Sequence, residues 1–206
     1  MDTRALDRVT AFTDAAVAIG LTLLVLPLVD LAHGGEEGPI RALLREHTDD
    51  LIAFLLSFFV IMAFWRGHRR LYERLGRVDE TLLSLNTLWL LGIVFLPVPT
   101  AVLTFEGDSQ RAAALLYLMN LLFVALMNAG MVGWIALHPG LLDPQHAGRP
   151  MRHHVRRGLI LCGMIGVVTL LAIPLGPTAL ILLAALPIGQ VIGERLDRRL
   201  GRDLPG

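Results

Sequence analysis

The residues able to do chemistry are few, and they gather near the start of the chain. Arg8, Thr13 and Asp14 stand at the mouth of an apolar run, Ala15-Ala16-Val17-Ala18-Ile19-Gly20-Leu21-Thr22-Leu23-Leu24-Val25-Leu26. With its flanks this run reads as a helix able to cross a bilayer. An ionisable group at such depth is costly and usually faces a bundle interior or a water path. Two kinds of chemistry fit. The Thr13 and Asp14 pair, if buried, needs polar partners from within the subunit. A carboxylate open to water can instead meet cations. Thr22 adds a hydroxyl deeper in the run, and Asp30 adds an acid beyond its far end.

Helical periodicity sorts these groups. At about 100° per residue, Ile19, Leu23 and Leu26 fall within about 60° of one another. Phe12 and Ala15 extend that stripe inward, Asp30 extends it outward, and Thr22 borders it. Asp14 lies on nearly the opposite side with Thr13 beside it, and Val17 and Leu24 are also off the stripe. One face is thus smooth and apolar with an acid at its outer end; the other presents a polar pair that needs partners within the subunit. On periodicity alone the stripe reads as lipid or core packing, since any face of so apolar a segment looks alike. For Asp14 a capping or interfacial carboxylate is the alternative.

Other chemistry is missing. There is no P-loop, dinucleotide fingerprint, HExxH or GxSxG, so no enzyme is expected. His146, His153 and His154 share a connecting segment, but their spacing lacks a recognised ligand pattern; neither a metal nor a cofactor is expected. A TVGYG carbonyl filter is also absent. Cys162, the single cysteine, sits in an apolar run and reads as a packed thiol.

The elements that must position these residues follow from composition. The chain has 206 residues, 54% of them hydrophobic, which fits an all-α, polytopic membrane protein of one domain, 1–206. Six spans are expected: Ala15–Val29, Leu51–Trp65, Thr81–Phe105, Ala112–Leu137, Gly158–Leu175 and Pro177–Gly193. Pro97 and Pro99 should kink or end the third, and Pro174-Leu175-Gly176-Pro177 should make a hairpin between the last two. All 18 basic residues are Arg. Fifteen fall on one side of this arrangement and three, Arg41, Arg45 and Arg111, on the other. That bias puts both termini in the cytoplasm and the protein in the inner (plasma) membrane. Trp65 and Trp134 fall near inner span ends, as interfacial anchors do; Trp89 lies deeper and should pack in the bundle. The formal net charge is zero, and no nucleic-acid partner is implied.

The pattern Arg8-x-x-x-Phe12-Thr13-Asp14, followed by Ala18 through Leu26, resembles the RxxxFSD signature of the transmembrane-protein-175 potassium channels. The likeness continues through Phe54–Arg70, with Ser57, Phe58, Trp65 and His68, and through Leu85-Asn86 to Thr100; the second half is similar chiefly in hydropathy. Thr13 replaces the motif's Ser and keeps its hydroxyl. The resemblance implies a homotetramer of six-helix subunits whose first helices line a central pore for potassium. Ile19, Leu23 and Leu26 would form the constriction and Thr22 a hydroxyl layer; Asp30, from its place on the stripe, would stand at the outer mouth. Arg8, Thr13 and Asp14 would belong to an inter-helix polar network, and His68 and Asn86, by depth and residue type alone, are the candidates to complete it. The partners implied are further copies of the chain, potassium ions and the lipid bilayer. A secondary transporter, a membrane enzyme and a non-conducting assembly protein are the competing readings.

Overall fold

Proline placement and hydrophobic pattern divide the chain into helices. The computed structural model describes residues 3–34, 44–104, 109–145 and 152–175. Within them run α1 (Thr3–Leu23), α2 (Leu26–Gly34), α3 (Thr48–Tyr72), α4 (Glu80–Phe95), α5 (Pro97–Val102), α6 (Ser109–Leu137), a 3-10 turn at Pro139–Leu141, and α7 (Arg152–Leu175). Among the described residues, four stretches are long and apolar enough to cross a membrane: Arg4–Asp30, Thr48–Tyr72, Glu80–Val102 and Ser109–Leu137. A shorter apolar helix, Gly158–Pro174, falls within α7. The expected sixth span, Pro177–Gly193, lies outside the described residues.

The expected first span is not one continuous helix. It breaks at Leu24–Val25, between α1 and α2. Pro27 explains the break. It has no N–H to give the Leu23 carbonyl, and its ring crowds that same carbonyl four residues back. The chain adjusts with a tighter bond from Val25 N–H to Thr22 O at 3.3 Å, then resumes with Val29 N–H to Val25 O at 3.1 Å. Pro97 acts as expected: α4 stops at Phe95, and Pro97 sits in the first turn of α5, where a missing N–H costs nothing. Pro174 lies inside α7, within the expected fifth span, and the rest of the expected hairpin, Gly176-Pro177, lies outside the described residues.

The centre of the fold is the contact between α4 and α6. Leu82, Trp89, Ile93 and Leu96 from one side and Tyr117, Leu118, Leu121 and Val124 from the other are all buried in one hydrophobic cluster. Gly92 sets the approach: a Cβ there would lie 2.5 Å from Val124 Cγ2 and 3.0 Å from Phe123 Cδ1. The closeness lets Asn120 Nδ2 donate to the Gly92 carbonyl at 3.0 Å. Helix α1 packs on α4 and α3, and α7 lies along α6.

A small clasp joins the α3–α4 connection to the chain after α6. Leu75 and Leu142 form an antiparallel bridge. Gly76 N–H donates to Leu141 O at 2.9 Å, Asp143 N–H to Arg74 O at 2.9 Å, and Arg77 Nε to Gly140 O at 2.8 Å. Leu75, Val78, Leu141 and Leu142 are buried beneath these bonds. Asp79 closes the clasp. Its Oδ1 caps α4 by accepting from Leu82 N–H at 2.8 Å, and its Oδ2 accepts from the Trp134 indole at 2.9 Å. Trp134, expected as an interfacial anchor, thus also has a specific partner.

Candidate functional site

Helix α1 has a buried face and an uncovered one. Leu6, Thr13, Val17, Gly20 and Leu24 are buried, at the spacing that keeps one side of a helix against its neighbours. Thr13 Oγ1 accepts from Asn86 Nδ2 on α4 at 3.0 Å. The Asn86 carbonyl Oδ1 pairs with His68 Nε2 on α3 at 2.7 Å. Since Oδ1 can only accept, His68 Nε2 carries the proton in this pairing. The imidazole is stacked between Tyr72, 4.2 Å away, and Trp89, 4.3 Å away. Three helices are therefore tied by one amide that serves a hydroxyl on one side and an imidazole on the other.

Asp14 stands beside this chain of bonds, with a partner of its own. Its Oδ1 accepts from the Trp65 indole on α3 at 2.7 Å. The Arg69 guanidinium lies 5.6 Å over the Trp65 ring, and Arg69 Nε donates to Glu73 Oε1 at 3.0 Å. Arg8 is exposed and joins none of these bonds. Of the five residues expected in one network, the structure thus brings Thr13, Asn86 and His68 into direct contact, gives Asp14 to Trp65, and leaves Arg8 apart. The role of Trp65 was hidden in the sequence, where an indole near a span end reads as an interfacial anchor. A nearby signal was Asp14 itself, a carboxylate that needs a donor at that depth.

The other face of α1 carries the apolar stripe. Phe12, Ile19, Leu23 and Leu26 are 69%, 58%, 37% and 50% exposed, whereas Val17 and Leu24 are 2% and 3% exposed. The break at Leu24–Val25 separates Leu26, on α2, from Ile19 and Leu23, on α1. Thr22 is exposed, and its hydroxyl donates to the Ile19 carbonyl at 2.8 Å, leaving its oxygen as an acceptor on the uncovered side. Asp30 is exposed on α2.

A second buried polar cluster was not foreseen. Ser57 Oγ on α3 lies 2.8 Å from Thr100 Oγ1 on α5 and 3.2 Å from Tyr117 Oη on α6. Three isolated hydroxyls on three apolar segments give no one-dimensional sign of meeting. Among the described residues no group of three or more His, Cys, Asp or Glu is placed to hold a metal ion. His146, His153 and His154 lie outside the residues whose side chains are described.

Four membrane-capable helices among the described residues, and a first helix with a buried polar tie and an uncovered apolar face, place this chain among polytopic helical membrane proteins. The family model described as Endosomal/lysosomal potassium channel TMEM175 matches residues 8–97. A protein of Streptomyces collinus named as a potassium channel is 32% identical over 141 residues, 67% of this chain and 68% of that protein. The chain belongs to the TMEM175 family. A human relative, named Endosomal/lysosomal proton channel TMEM175, is 27% identical over 207 residues, which is 96% of this chain and 41% of the human protein. The chain therefore spans less than half the length of that relative. A crystal structure of a lysosomal potassium-selective channel TMEM175 homolog from Chamaesiphon minutus matches with a TM-score of 0.71 at 23% identity, over 90% of this chain and 97% of that one. That likeness is one of fold.

Proposed function

We propose that the chain is one six-helix subunit of a potassium-permeable cation channel in the inner membrane. Both termini face the cytoplasm, and four copies surround a central path lined by α1. The observation that carries this reading is the uncovered stripe of α1, Phe12, Ile19 and Leu23, which backs directly onto the buried Thr13–Asn86–His68 tie. One helix cannot enclose a path, so its stripe needs further copies in a closed ring. Family membership, and a bacterial relative named as a potassium channel, support the same reading.

The physics of such a path follows from its lining. Leu and Ile side chains offer an ion no substitute for its hydration shell, so passage demands partial dehydration or a transiently wetted opening. Potassium holds water less tightly than sodium, and a narrow apolar neck penalises sodium more. Ile19 and Leu23 make the neck on α1, and Leu26 joins it from across the helix break. Thr22 borders it with a hydroxyl oxygen, and Asp30 at the outer mouth raises the local cation concentration.

The test is ion flux from purified protein in liposomes under potassium and sodium gradients. Potassium should move faster than sodium through the native protein. Leu23→Ala should widen the neck and bring the two rates together. Leu24→Ala and Val17→Ala, off the stripe, are poor controls because both residues are buried in the subunit; Leu116→Ala, exposed on α6, serves instead. Selectivity unchanged in Leu23→Ala but lost in Leu116→Ala would place the path elsewhere. The human relative is named a proton channel, so a second reading has protons as a permeant ion. An internal pH dye in the same vesicles decides it. Potassium flux that requires a counter-transported ion would instead indicate a transporter.

A further inference from the structure

The outward side of α3 changes character along its length. Ile52, Leu55 and Phe59 are exposed, and so are Arg66, Arg69 and Arg70. At 3.6 residues per turn these six positions fall on one face about 100° wide. An exposed apolar stripe of two turns thus runs into a basic end on the same side of the same helix. Between positions 66 and 77 there are five Arg and one Glu, which leaves a charge of +4 there in a chain whose formal net charge is zero.

From this juxtaposition we propose that the α3 face binds an anionic phospholipid, with acyl chains along Ile52, Leu55 and Phe59 and the phosphate headgroup at Arg66 and Arg70. The inference rests on the chain spanning a bilayer, and it is independent of what the protein conducts. The basic end lies in the last two turns of a membrane-capable helix, where guanidinium groups reach the headgroup layer. Arginine forks match phosphate oxygens two at a time, and a polybasic end beside a span attracts anionic lipid. Arg69 has a positioning role. Its Nε donates to Glu73 at 3.0 Å while its guanidinium lies 5.6 Å over the Trp65 ring. Trp65 is itself anchored by Asp14 at 2.7 Å. The headgroup site is thereby built on a fixed indole, and a neutral headgroup gains nothing from the added charge.

The experiment measures thermal unfolding of the full chain in a neutral detergent, with added phosphatidylglycerol, phosphatidylcholine or soluble glycerol phosphate. Phosphatidylglycerol should raise Tm by about 2–4 °C, and the other two should not. The rise should vanish in Arg66→Gln/Arg70→Gln and persist in Arg111→Gln, which removes charge at the start of α6. A rise that survives in the double variant, or one equal with phosphatidylcholine, overturns the proposal. Glycerol phosphate reproducing the rise would make the site a phosphate site without a lipid. Should the double variant fail to fold, Arg66→Gln alone and native protein in 0.5 M salt should each reduce the rise; an unchanged rise in both overturns the proposal. Failure here leaves potassium flux untouched, so the two readings are separable.

Discussion

Asn86 is the residue on which the attachment of α1 turns, because one amide satisfies both Thr13 and His68. Removing a partner from a buried polar group costs about 1–3 kcal/mol for each group left behind. Asn86→Leu strands two groups, whereas Thr13→Val strands only the Asn86 amide. Thermal unfolding in detergent should therefore show a larger loss for Asn86→Leu, and equal losses would mean that Thr13 and His68 do not share the amide. Asp14→Ala should also destabilise, by stranding the Trp65 indole. The participants were partly legible in the sequence. Thr13 and Asp14 announce themselves as polar groups in an apolar run, and His68 and Asn86 match them in depth. Which partner each one takes was not legible: adjacent residues on a helix point about 100° apart, so Thr13 and Asp14 reach different helices. Neighbouring helices and their relative rotation are fixed by packing across tens of residues, which a single chain of letters does not encode locally. Arg8 shows the same limit from the other side, as a motif residue that ends up exposed.

Among the elements, the α1–α2 and α4–α5 breaks follow Pro27 and Pro97, and Asp79 caps α4. Pro97 was read correctly as the end of a helix, while Pro27 went unread because the run around it is so apolar that it suggests one span. The clasp was invisible for a different reason. Arg77 and Gly140, or Asp79 and Trp134, are separated by an entire hairpin, and no local periodicity links them. Asp79 makes the clasp sensitive to acid. Burial pushes its carboxyl up, but the bonds from Leu82 N–H and the Trp134 indole, with His138 nearby, outweigh this and hold it below its ordinary value. A carboxylate depressed in the folded state stabilises the fold above its unfolded pKa, about 3.9, and that contribution is lost as pH falls through the lower folded value. Unfolding followed from pH 7 to pH 3 should show this group's contribution level at neutral pH and falling away below about pH 4. Asp79→Asn should start less stable and decline less steeply; an identical slope would mean that Asp79 titrates alike in both states.

At the scale of the whole molecule, the proposed arrangement makes a prediction about sides. Single cysteines replacing Gly34 and Gly107 should react with an impermeant thiol reagent from outside the cell, and one replacing Gly148 only from inside. Labelling of positions 34 and 148 from the same side would overturn the arrangement. This expectation rests on the distribution of Arg, because charge on connecting segments governs insertion irrespective of how the spans later pack. The bond between Asp14 and Trp65 has a consequence for how the chain is made. The two residues are 51 positions apart, and Thr13 is 73 positions from Asn86. A ribosome adding about 5–20 residues per second releases Trp65 about 3–10 s after Asp14, and Asn86 about 4–15 s after Thr13. During that interval the nascent first helix carries a carboxylate and a hydroxyl with neither partner yet synthesised. The polar ties of the first helix can therefore be completed only after the third membrane segment is made, so the first helix to be synthesised should be among the last to be fully tied in.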